Sequence, residues 1–140
     1  MGTTNFDAVQ ATSIAAALTG QLAAYPTVAR TATTAGDGTG VIADAGMLQF
    51  VTVTCDNAAK IITLPTPTPG TIVILRNGAT GYELRSSAPA TVAINGGSAA
   101  NAESAIGAST MVIAVCTSPT TGQAIGIAGA TLAGVEAAAA

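Results

Sequence analysis

The side chains that most often do chemistry are scarce in this chain and far apart. Histidine is absent from the 140 residues, which removes the commonest general base, the usual catalytic triad and most transition-metal sites. The seven carboxylates, Asp7, Asp37, Asp44, Asp56, Glu83, Glu103 and Glu136, are scattered singly. No spacing brings two of them together, as paired-carboxylate hydrolysis requires. Gly36, Gly38 and Gly40 lack the Lys-Ser or Lys-Thr of a phosphate loop, and Asp37 and Asp44 lack the carboxylate density of a calcium loop. Cys55 and Cys116 have no histidine and no Cys-x-x-Cys pairing to lower their pKa. Each reads as a small buried hydrophobe, with one disulfide between neighbouring strands as the alternative. Lys60, the sole lysine, has no serine placed beside it. The chain is therefore not expected to be an enzyme, and no cofactor, metal or small-molecule substrate is expected.

One polar cluster remains: Arg76, Asn77, Tyr82, Glu83 and Arg85. Glu83 and Arg85 share a strand face by the period of two, with Tyr82 and Leu84 on the other. Two readings stay open. The cluster is either an exposed hairpin with a rim ion pair of at most about 1 kcal/mol, or a set of charges that fixes register between subunits.

The elements that position this cluster lie in Ile61–Ser87, IITLPTPTPGTIVILRNGATGYELRSS. Pro65, Pro67 and Pro69 fix φ and lack an N–H, so the connection there is extended and stiff. Thr71 to Leu75 is a short apolar run rich in β-branched residues, which predicts a strand buried on both faces. Asn77-Gly78 supplies a tight turn, so the stretch predicts a β-meander.

Strand signals recur on either side. Met47 to Cys55 alternates, with Phe50, Thr52 and Thr54 on one face and Val51, Val53 and Cys55 on the other. Ala59–Leu64, Thr91–Asn95, Thr110–Thr117, Ala124–Ala128 and Thr131–Val135 follow, separated by turns at Asp56-Asn57, Gly96-Gly97 and Ser118–Gly122 and by a small-residue loop through Glu103. The pattern predicts a mainly β fold, an antiparallel sandwich or barrel-like domain of short strands over residues 47–136. Residues 31–46 read as a Gly/Thr-rich linker and 137–140 as an Ala tail.

Residues 1–30 read as an arm with a short helix. Ile14, Leu18 and Leu22 fall at i, i+4 and i+8 among Ala residues, Thr12 or Ser13 supplies an N-cap, and Pro26 ends the pattern near Ala24. A helix this short is marginal alone and must dock. It either packs on its own β domain or reaches a neighbouring subunit or binding surface.

Composition bears on partners. Charged residues are 8 % of the chain, against roughly 25 % in an average soluble domain. Too few charges exist to cover the surface, which predicts self-association or a partner. The net charge of −3 and four dispersed basic residues argue against nucleic acid. Ser13–Tyr25 has no preceding positive charge and is too short to span a membrane, so neither a signal peptide nor a membrane segment is expected.

The run LPTPTPGTIVILRNGATGYELRSS, followed by VAINGG and NAESAIGASTMVIAVCTS, resembles a motif series in tailed-bacteriophage capsid decoration (cement) proteins. The Ala-rich helix followed by YPTVARTAT also looks like the N-terminal arm of such proteins. The resemblance spans about residues 5 to 135. It implies a β-rich homotrimer, made in the host cytoplasm, that sits on the outer capsid surface of the virion and clamps neighbouring major capsid proteins. The contacts expected with other subunits or the capsid are Phe6, Val9, Ile14, Leu18, Leu22 and Tyr25 of the arm, with Arg76, Tyr82, Glu83 and Arg85 of the cluster. A receptor- or glycan-binding knob or fibre module of a virion is the alternative, disfavoured by the few aromatics available to stack on sugars. A surface-layer or adhesin subunit is a third.

Overall fold

The computed structural model describes residues 27–95, 102–118 and 122–127, the last six as backbone. Eight strands run β1 Thr27–Thr31, β2 Leu48–Thr54, β3 Ile61–Thr63, β4 Ile72–Asn77, β5 Tyr82–Arg85, β6 Glu103–Ile106, β7 Met111–Ser118 and β8 Gly122–Ile127, with one 3-10 turn at Gly38–Gly40. The fold is mainly β. A five-stranded sheet has the order β1-β2-β4-β7-β8 and a three-stranded sheet the order β3-β5-β6.

Both sheets are mixed, which corrects the antiparallel expectation. β1–β2, β2–β4 and β3–β5 pair in parallel, while β4–β7, β5–β6 and β7–β8 are antiparallel. Parallel neighbours need a long crossover, and here the crossover passes through the other sheet: β3 lies between β2 and β4 in sequence, and β4 between β3 and β5. The Ile61–Ser87 stretch is therefore not a meander. Its prolines carry the chain from the small sheet to the large one. Asn77-Gly78 then returns it without the positive φ at both residues that a type I′ hairpin needs.

The alternation in β2 and β4 sets the core. Val51 and Val53 of β2, Val73 and Leu75 of β4, and Val112 and Ala114 of β7 face inward and are at most 3 % exposed. Against them pack Ile62, Tyr82, Leu84 and Ile106 of the small sheet, with Ile42, Leu64 and Ile94 closing the ends, all in one cluster. Two sheets sharing one apolar layer make the architecture sandwich-like. A fully buried Leu such as Leu75 stabilises it by about 2 kcal/mol in area terms.

Three further expectations are corrected. Residues 31–46 are part of the body, because β1 leads directly into buried positions at Ala32 and Ile42. Ala32 N–H donates to Thr54 at 3.0 Å, and Thr33 and Ile61 exchange backbone bonds of 3.1 and 2.7 Å, so this segment passes from one sheet to the other. Gly36, at φ +68°, holds the crossing tight, since a Cβ there would lie 2.7 Å from the Ile61 side chain. The body also starts earlier than residue 47, with β1 taking Thr27–Arg30 from the expected arm. Thr91–Asn95 is a turn with buried Val92, Ala93 and Ile94, while β6 begins at Glu103, inside the expected loop. The N-terminal helix, the Thr131–Val135 strand and the Ala tail lie outside the described residues.

Candidate functional site

The five residues of the polar cluster do not converge. Their strands place them on three different surfaces of the sandwich.

Asn77 ends β4 facing inward and is 4 % exposed. Its Nδ2 donates to Thr80 and Gly107 carbonyls, each at 2.8 Å, and its Oδ1 accepts from Thr110 N–H at 3.0 Å. One amide thus ties the β4–β5 turn to the β6–β7 turn and to the start of β7. Gly81, two residues before Glu83, completes this junction: a Cβ there would come within 2.4 Å of the Ile106 carbonyl oxygen.

Tyr82 points into the core and is 1 % exposed, with its hydroxyl buried and without a hydrogen-bond partner. Burial, and to a lesser degree Cys55, raises its pKa far above the ordinary phenol range, so it stays neutral. It is a core residue, which corrects its assignment to a contact surface.

Glu83 and Arg85 lie on the outward face of the small sheet. Arg85 pairs with Glu103, its register partner on β6, rather than with Glu83. Arg85 Nη1 also reaches the Ala35 carbonyl at 3.4 Å. Arg85 and Glu103 side chains are 20 % and 16 % exposed, so this pair is more enclosed than the expected rim bridge. Glu83 is left beside them, with Oε2 buried and unpartnered. Burial raises its carboxyl above the usual carboxylate range, and the nearby Glu103 raises it further.

Arg76 stands alone on the opposite side of the molecule, exposed on the outward face of the large sheet. That face proved to be the feature that sequence reasoning missed. The register stacks Leu48–Ile72–Val115, then Phe50–Ile74–Ile113, then Thr52–Arg76–Met111 across β2, β4 and β7. Leu48, Phe50, Ile72, Ile74, Ile113 and Val115 are half-buried, and Met111 is 42 % exposed. A groove of about 300 Å³ runs here between Thr27, Phe50, Ile74, Arg76, Met111 and Ile113. The signal was present in the unbroken apolar run of β4, which predicts burial on both faces. Among the described residues only the inner one is closed.

The remaining charges are peripheral. Lys60 bridges to Asp56 at 2.7 Å, and that hydrogen bond holds the exposed Asp56 carboxyl below its ordinary value. Asp37 accepts from the Thr33 hydroxyl at 3.1 Å within the crossing segment. Neither cysteine is in a disulfide; Cys116 is buried, and Cys55 Sγ donates to the Asn57 carbonyl at 3.0 Å. Among the described residues no group of three or more His, Cys, Asp or Glu could hold a metal ion, and no helix is long and apolar enough to cross a membrane. The arm positions Phe6, Val9, Ile14, Leu18, Leu22 and Tyr25 lie outside the described residues.

No protein-family model, curated protein or solved structure matches this chain.

Proposed function

We propose that this chain is a non-enzymatic structural virion protein: a capsid decoration protein that binds the outer capsid surface as a homotrimer and braces neighbouring major capsid proteins. The observation that carries the reading is how the one polar cluster is used. Asn77 stitches turns together, Tyr82 fills the core and Arg85 is held by Glu103. These side chains stiffen a body and converge on no reaction centre, which suits a staple that works without turnover.

Two further features support it. The motif series Leu-Pro, Arg-Asn, Leu-Arg and the apolar run MVIAVCTS resembles that of cement proteins, and its residues build the exit from β3 and the strands β4, β5 and β7. Charged residues at 8 % of the chain leave a neutral surface suited to packing against copies or a capsid. Three modest contacts per trimer then act together, so the assembly binds far more tightly than one subunit alone.

The test is cosedimentation of the full chain with mature and precursor capsids of its parent phage, with stoichiometry measured. Saturation at hundreds of copies per capsid, in multiples of three, is expected. No binding, or a few copies at a tail vertex, would overturn the reading, the second in favour of a receptor-binding module. Light scattering at micromolar concentration should give a trimer, and a monomer would remove that part of it.

A further inference from the structure

The outward face of the five-stranded sheet carries two apolar rows, a third row of Thr52, Arg76 and Met111, and no other charge among its described residues. A strand with one face in water normally alternates apolar with polar, whereas near-continuous apolar strands occur where both faces are covered. β4 reads Ile-Val-Ile-Leu and β7 reads Met-Val-Ile-Ala-Val. Their sequences are those of covered strands, yet Phe50, Ile74 and Ile113 are only half-buried.

Chain connectivity indicates what covers them. β1 begins at Thr27, in register with Phe50, and Thr27 itself lines the groove. β1 runs parallel to β2 and β4, so the 26 preceding residues enter the sheet at the end where Leu48, Ile72 and Val115 sit. That end is apolar, and Thr52, Thr54 and Arg76 occupy the other. Inward at this end Gln49, Val73 and Ala114 are already buried, whereas the outward Leu48, Ile72 and Val115 are half-buried, so the outer face is the one with room for the entering chain.

The entering segment has matching chemistry. On the helix expected from the sequence, Ile14, Leu18 and Leu22 form one stripe, and only Tyr25 and Pro26 separate its expected end at Ala24 from β1. A two-residue connection from a helix to a strand is ordinary, and it folds the helix back antiparallel along the sheet. A helix over residues 13–24 is about 18 Å long, against roughly 13 Å along the strands from the Leu48 row to the Thr52 row. It is long enough to cover both apolar rows and to reach Met111 in the third.

We propose that the outward face of the five-stranded sheet is the docking site for this chain's own residues 13–24, seated through Ile14, Leu18 and Leu22. The assignment does not depend on the capsid reading. It gives the stripe an intramolecular role and leaves Phe6 and Val9 as the arm residues available to a partner.

The test is a cross-link that separates self-docking from exchange. In a Cys55→Ala, Cys116→Ala background, Leu18→Cys is combined with Ile74→Cys or, separately, Ile113→Cys. Equal amounts of ¹⁴N- and ¹⁵N-labelled chain are mixed, refolded and mildly oxidised. The expected result is a disulfide joining peptides of one isotope only, with at least one of the two acceptors. Mixed-isotope cross-links would overturn the proposal by showing a second copy's arm on the face, and no cross-link to either acceptor would overturn it outright. A second measurement needs no cysteine variant. In the otherwise wild-type full chain, peroxide oxidation of Met111 should be several-fold slower than in the Leu18→Asp variant. Equal rates would contradict docking on this face.

Discussion

On the three-stranded sheet the outward residues Glu83, Arg85 and Glu103 carry charge, and two of them satisfy each other. On the five-stranded sheet the outward rows are Leu48, Phe50, Ile72, Ile74, Ile113 and Val115, with Arg76 the one charge among the described residues. Both sheets present the same kind of surface inward, at most 4 % exposed for Val73, Leu75, Val112, Leu84 and Ile106. The contrast teaches that the small sheet carries its charges on its own outward face, while the large sheet leaves an apolar face to be covered. In a chain with so few charges, where they are placed marks which surface is meant to meet water.

The largest expected effect comes from adjacent residues on opposite faces of β4. Leu75→Ala, which hollows the shared core, should cost about 3 kcal/mol in denaturant unfolding. Ile74→Ala, one residue away on the outward face, should cost less, about 1–2 kcal/mol, because one three-residue helix stripe covers it where a whole sheet covers Leu75. Equal losses would mean that the two faces are covered alike. Next comes the junction that holds both sheets in register: Asn77→Ala should destabilise by about 2 kcal/mol, because the buried amide is lost and three part-buried backbone groups lose their partner. A loss below about 0.5 kcal/mol would show that water replaces the amide without cost.

The small sheet's charged face supplies the two smaller effects. Arg85→Met leaves Glu103 without its partner in a site that is mostly enclosed, and should cost about 1–2 kcal/mol at neutral pH. Glu83→Gln should act in the opposite direction. Because the folded chain raises the Glu83 carboxyl above its ordinary value, the folded state binds that proton more tightly than the unfolded chain. Stability from this group is full below the ordinary carboxylate range and is lost as pH rises through the raised value. The amide removes that loss, so the variant should melt slightly higher than wild type at pH 7 and equal to it below about pH 4. A variant less stable at pH 7 would contradict the assigned direction.

How much of this was legible in the sequence depended on the range of the interactions. The strands β2, β4, β5 and β7 follow from local alternation and β-branched runs, and the core residues Val51, Val53, Leu75 and Val112 follow with them. The pairing did not follow. Nothing local in Asn77-Gly78 distinguishes a hairpin from a return to the other sheet, because what decides it is the set of partners that Asn77 finds at Gly107 and Thr110, some thirty residues away. Residues 31–46 read as a linker for the same reason: their small residues are required by close passage against Ile61 and Thr63, which adjacent residues do not announce. The polar cluster looked like one site because its members are neighbours in sequence, whereas a sheet change after β4 sends Arg76 and Glu83 to opposite sides.

The measurement that tests the proposed decoration role most directly is the burst temperature of the capsids this chain is proposed to brace, prepared without it, before and after the purified protein is added to saturation. The account predicts that the depleted capsids assemble normally, burst at a lower temperature than complete ones, and regain the difference when the protein binds. Capsids whose burst temperature is unchanged by its removal and its return would contradict it.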